Sequence, residues 1–246
     1  MGERLERSHV DSLRQLDEHE HIISQERYVA FCDILGFSNR ILQSFDETLQ
    51  LYDTFASFWI DLGIENVETC IYSDAVLITS ESLGSLITAV NTLWFCAQTH
   101  FFIIRGAIVK GRYWERRIGN SLFVASDALV RAVKIEQSIG FPMVALADDI
   151  EIPLEFWIPR FRDGPIAAPL LHFRDRNIVN PFGIMWFASA KGRISRMRDD
   201  SPANVDKYEW LLALHRAIEA QHDLVPQDVI DRCLALGFIA ERPASS

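Results

Sequence analysis

Tyr28-Val29-Ala30-Phe31-Cys32 is an unbroken apolar run bounded by Arg27 and stopped at Asp33. A run this short, with charge at both ends, fits a strand buried on both faces better than a helix. It also delivers a carboxylate to the place where the strand leaves the core. A carboxylate against so much apolar surface is costly unless it is paired, hydrogen-bonded or bound to a metal. This one segment therefore calls for a sheet around it and a partner for Asp33.

The flanking pattern supplies both. Ser38 and Asp46 are candidate helix caps, and Leu51, Phe55, Phe58 and Leu62 recur at helical spacing until Gly63. Val67 to Ile71 and Ala75 to Thr79 are β-rich runs separated by Tyr72-Ser73-Asp74, a tight hairpin with an acid at its turn. A second helix is expected from about Ser82 to Ala97, with Leu86, Val90, Leu93 and Ala97 on one face. Strands follow at Phe101 to Ile104 and Ala107 to Val109, flanking Arg105-Gly106, and a strand pair within Tyr113 to Phe123. Asp127 to Ser138 fits a helix with Leu129, Ala132 and Val133 inward and Asp127, Arg131, Lys134 and Ser138 outward, and Met143 to Leu146 a last strand.

That order predicts an α+β fold, a ferredoxin-like palm of split β-α-β type with helices on one face of a mainly antiparallel sheet. The expected division is a charged arm over 1–24, helical or frayed, a palm over 25–147, and an extension over 148–246 packed on the palm or on a dimer. In the extension, 158–182 looks loop-rich, and helices are expected near 204–221 and 226–236.

With 24 Lys+Arg against 34 Asp+Glu the net charge is -10, which argues against bulk binding to nucleic acid or an anionic membrane. A polyanionic substrate would then need a metal or a local basic pocket. Cys32, Cys70, Cys96 and Cys233 show no zinc-ligand spacing and are expected to be reduced thiols. With no apolar signal core and no run long enough to span a bilayer, the expectation is a cytoplasmic chain without membrane insertion.

In a split β-α-β sheet the first strand lies beside the hairpin, so Asp33 and Asp74 converge. Two carboxylates and a main-chain carbonyl, for instance that of Ile34, suit Mg²⁺ or Mn²⁺ with positions left open for phosphate oxygens. The turn Leu35-Gly36-Phe37-Ser38 leads into a helix, where backbone N–H groups can face a phosphate. A two-metal phosphoryl-transfer site is the chemistry this pair points to.

Phe31-Cys32-Asp33-Ile34-Leu35-Gly36-Phe37, followed about 40 residues later by Tyr72-Ser73-Asp74-Ala75, resembles the two metal-binding motifs of the class III nucleotidyl cyclases. Arg105-Gly106-Ala107-Ile108, Gly111 and Ala128 to Glu136 match later motifs in order. The Asp-Ile-Leu-Gly-Phe form, the Ser-Asp turn and the Arg-Gly-Ala strand are most similar to the bacterial pyrimidine cyclases of Pycsar antiphage systems. The resemblance covers 27–147. It implies a homodimer with sites at the interface, two ions held by Asp33 and Asp74, and in-line attack of a ribose 3′-hydroxyl on the α-phosphorus. The nucleoside triphosphate would be UTP, giving cyclic UMP that activates a separate effector.

Counting back from Asp74, the position where adenylyl cyclases carry a base-reading Lys is here Cys70. Counting back from Glu136, the usual transition-state Arg falls on Lys134 and the usual Asn on Val130. Lys134 is accordingly the expected catalytic cation, with Tyr52, Arg105 and Arg131 the further candidates for substrate contact beside Gly36 and Phe37. The Gly-Gly-acid-acid-Phe signature of diguanylate cyclases is absent at the hairpin. CTP as substrate, a purine cyclase and a non-catalytic cyclase-like module remain the alternatives.

Overall fold

The computed structural model describes residues 24–239, so the expected arm lies almost wholly outside the described residues. The apolar run is the middle of β1, Gln25–Ile34. Both edges of this strand are taken, by β3 (Ala75–Ser80) and by β4 (Ile104–Ile118), each antiparallel. Ala30, Cys32 and Ile34 are at most 1% exposed, as are Val76, Ile78, Ile104 and Ile108 beside them, so one row of three adjacent strands is sealed in the core.

The sheet has eight strands. Its path runs β2 (Glu68–Tyr72), β3, β1, β4, β6 (Val144–Leu146), β8 (Arg176–Val179), β7 (Leu170–Phe173), with β5 (Ser121–Ser126) pairing the far half of β4. All neighbours are antiparallel except β4 and β6. The fold is α+β, as the order of segments predicts. Residues beyond 148 do more than line the palm, because β7 and β8 extend the same sheet. The stretch 158–182, expected to be loop, holds this hairpin and a short helix, α5 (Ile158–Asp163). Leu170, Leu171, Ile178 and Val179 are buried there by contacts from distant parts of the chain.

The helices before it are α1 (Phe37–Gln43), α2 (Phe45–Asp61), α3 (Leu83–Thr99) and α4 (Asp127–Ser138). Ser82 caps α3 by accepting from the Ser85 N–H, and Ser126 caps α4 by accepting from the Leu129 N–H. The caps expected at Ser38 and Asp46 are not used. α1 starts after Gly36, at φ 78°, and α2 starts after Ser44, while Asp46 sits in the first turn of α2. After β8 come α6 (Phe187–Asp199), which the apolar pattern does not reveal, α7 (Val205–Glu219) and α8 (Gln227–Ala235). Among the described residues no helix is long and apolar enough to cross a membrane. All four cysteines are free thiols, with Cys70 exposed and the others buried.

Gly106 makes the closest approach of two strands possible. A methyl group there would overlap the main-chain oxygen of Phe31 and the Cys32 thiol of the neighbouring strand. We expect Gly106→Ala to lower unfolding free energy by roughly 3 kcal/mol, the upper end of what overpacking costs, measured by urea titration. A midpoint unchanged from wild type would show that β1 and β4 can separate without loss.

Candidate functional site

The β1–β3 register sets Asp33 opposite Ala75, one residue past Asp74. At this corner the Ile34 N–H donates to the main-chain oxygen of Asp74 at 2.8 Å, and the Leu35 N–H donates to that of Ile103 at 2.9 Å. The two aspartates are thus joined through the backbone. Ser73, at φ 55°, makes the turn before Asp74. Ser38 Oγ donates to Asp74 Oδ2 at 3.1 Å, so the serine expected as a cap orients the second carboxylate instead.

On the other edge of β1, Asp33 faces Arg105 of β4. A guanidinium nitrogen of Arg105 lies 3.6 Å from Asp33 Oδ2, and the same side chain binds Glu136 of α4 and donates to the main-chain oxygen of Ile139 at 3.0 Å. Glu136 is 4% exposed. The inward face of α4 is therefore Ala128, Ala132 and Glu136, and Leu129 and Val133, expected inward, are only half-buried. An arginine in an apolar strand is the sequence's one sign of a buried acid opposite it; Glu136 itself, on a helix with many polar residues, carries no such sign.

Burial, then the neighbouring charges of Asp74 and Glu136, push the Asp33 carboxyl up to about 6 against the opposing pull of Arg105 and Lys207. Two like charges held together with one of them destabilised is an arrangement a divalent cation relieves. Among the described residues no cluster of three or more His, Cys, Asp or Glu side chains could hold a metal. The groups that would hold such an ion are the Asp33 and Asp74 carboxylates, with the Ile34 carbonyl the third donor expected from the sequence. This set of hard oxygens suits Mg²⁺ or Mn²⁺, with the remaining positions left to water and ligand oxygens.

The other sequence candidates spread around this corner. Gly36 forms the turn after Asp33. Phe37 is buried against Tyr52 and Phe102, with ring centroids 5.0 and 6.3 Å away, so its side chain belongs to the core. Tyr52 donates to the Ser73 main-chain oxygen at 2.6 Å and braces the hairpin turn. Arg105 makes the carboxylate contact described above. Arg131 is drawn away to Asp149, at 2.6 Å, and to the Lys110 carbonyl. Lys134 is exposed on α4 and forms no ion pair among the described residues. A cavity of about 700 Å³ between α5 and α8, lined by Ile158, Phe161, Ile230 and Leu234, includes none of these groups.

Between the ordinary value of 3.8 and about 6 the folded chain holds more proton on Asp33 than the unfolded chain does. This group's contribution to stability therefore falls as pH rises through that window. Melting curves should show the decline in metal-free wild type, a flatter profile in Asp33→Asn, and recovery on adding Mn²⁺ above pH 6. Separately, Arg105→Met strands Glu136 as a buried charge and should cost about 3–5 kcal/mol. Arg105→Met with Glu136→Leu should regain most of it in urea unfolding.

No family model matches the chain, and no curated protein matches it. Among solved structures it is similar to the guanylyl cyclase Cya2, at 8% identity and TM-score 0.41, over 51% of this chain and 76% of that one. It is similar to the adenylyl cyclase CyaB from P. aeruginosa at 11% identity and TM-score 0.42, over 52% and 80%. A bacterial light-regulated adenylyl cyclase aligns at 14% identity and TM-score 0.41, over 59% of this chain and 55% of that one. At these identities and TM-scores the likeness assigns neither a family nor an activity to the chain.

Proposed function

We propose that the chain is a divalent-metal-dependent nucleotide cyclase that converts UTP to 3′,5′-cyclic UMP and pyrophosphate as a homodimer. The observation that carries this reading is the joining of Asp33 and Asp74 by the Ile34–Asp74 main-chain hydrogen bond, at a corner where like charge is left uncompensated. The sequence resemblance to pyrimidine cyclases supports the choice of base. So does Cys70, exposed on β2 at the place where adenylyl cyclases carry a base-reading lysine. Cyclic UMP would then serve as an antiphage second messenger acting on a separate effector.

Divalent ions held by Asp33, Asp74 and the Ile34 carbonyl would supply charge neutralisation at the triphosphate and acidify the ribose 3′-hydroxyl. The chain's own residues do the positioning. Arg105 and Glu136 hold the Asp33 end of β1 in place, and Ser38 and Tyr52 hold the Asp74 turn. With both carboxylates fixed, the 3′-oxygen attacks the α-phosphorus, the bond to the bridging oxygen breaks, and pyrophosphate leaves. Lys134, on the outer side of α4, would meet substrate bound at the partner subunit.

A non-catalytic module is the second reading, favoured by Val130, 54% exposed where these enzymes carry Asn, and by Arg105 being committed to carboxylates. Incubation of purified protein with Mn²⁺ and UTP, CTP, ATP or GTP separately, with products identified by mass and retention time, decides between them. Cyclic UMP is expected, and Asp33→Ala or Asp74→Ala should abolish it while leaving the protein folded. Cyclic CMP would reassign the base, a purine product would overturn the pyrimidine reading, and no product from any of the four would favour the module. Near-wild-type turnover in either alanine variant would remove the metal assignment.

A further inference from the structure

Beyond the part of the chain that resembles a cyclase, α6 and α7 return to the Asp33 corner. They are joined there by a short 3-10 turn, Pro202–Asn204. Phe101, in left-handed backbone at φ 58°, is the point of attachment. Its carbonyl accepts from Arg40 of α1 at 3.0 Å, and its ring lies under the Arg196 guanidinium of α6 at 5.3 Å. Arg193 donates to the Thr99 carbonyl at 3.2 Å one turn earlier.

Between the Leu35–Gly36 turn, α1 and this helical corner lies a cavity of about 390 Å³. Its charged lining is Arg40, Arg196 and Lys207 against one acid, Asp200. In a chain of net charge -10, three cations on one concave surface are a local reversal of sign. Arg196 and Asp200 lie 3.8 Å apart, so the acid offsets one cation and leaves the others. Lys207 is half-buried, with its ammonium held 3.0 Å from Asn204 Oδ1. Leu35 and Gly36, the two residues that follow Ile34 at the end of β1, line the cavity, so it adjoins the turn that leads away from Asp33.

We propose that this cavity binds the polyphosphate tail of the nucleotide, with Lys207, Arg196 and Arg40 as its cationic lining. The ligand chemistry is a linear polyphosphate, whether carried by a nucleotide or free as pyrophosphate. Flexible point charges such as lysine suit phosphate oxygens, and a concave cationic surface concentrates a polyanion before the rest of the substrate seats. Naming the polyphosphate as a nucleotide's rests on the cyclase reading; its binding to this cavity does not.

Calorimetric titration of the full chain with inorganic tripolyphosphate, with EDTA and then with Mn²⁺, tests the site without requiring turnover. Wild type should bind, Lys207→Gln should bind about tenfold more weakly, and Lys207→Arg should retain affinity because the charge is kept. Arg196→Gln, at a 72% exposed side chain, keeps the test open should Lys207→Gln not fold. Arg116→Gln, an exposed cation on the outer half of β4, should bind as wild type does. In the cyclase assay the Lys207→Gln loss should appear as a raised KM.

Failure of wild type to bind tripolyphosphate, or wild-type affinity in both Lys207→Gln and Arg196→Gln, overturns the proposal even if cyclic nucleotide is made. Lys207-dependent tripolyphosphate binding with no product from any of the four triphosphates would uphold it and remove the cyclase reading instead.

Discussion

The Arg105 guanidinium sits where three elements meet, taking carboxylates from β1 and α4 and a main-chain oxygen from the end of α4. Partly buried ion pairs add little net stability once desolvation is charged against them, but breaking one side is expensive. Such a contact therefore acts mainly on geometry. Here it fixes how far α4 stands from the sheet and how the end of β1 is aimed. It also leaves the corner short of positive charge, because Arg105 and Lys207 together do not offset burial and the charges of Asp74 and Glu136 at Asp33.

The parts of the fold that show in the sequence are those whose cause is local. β1 shows as an apolar run, the β2–β3 hairpin as two β-rich runs around Ser73-Asp74, and the starts of α3 and α4 as Ser82 and Asp127 before periodic segments. What does not show is made by distant partners. α6 carries few apolar residues, and Ala190, Ile194 and Met197 are buried through packing on other elements. β7 and β8 lie in a stretch punctuated by arginine, proline and glycine and become strands by joining β6.

The same division runs through the site. Asp33 and Asp74 stand out because each is a carboxylate in apolar surroundings, and the sheet order then brings them to one corner. Glu136, Ser38 and Lys207 do not stand out. A glutamate or a lysine on a helix is an ordinary solvated residue until the helix packs, and a serine at a helix start looks like a cap. Tyr52 is spent on the Ser73 carbonyl, and Cys70 stands exposed on the edge strand β2. Arg131 is diverted by Asp149, a residue of the loop after β6 that no local pattern connects to it.

The hydrogen bond between the Ile34 N–H and the Asp74 carbonyl is a ladder contact as well as a site contact. Its amide proton can reach solvent only when the hairpin leaves β1, and that event also parts the two carboxylates. The lifetime of the assembled corner is thus tied to the opening rate of a sheet edge. Side chains around it set how the two carboxylates are aimed, while the strand pairing sets how long they stay side by side.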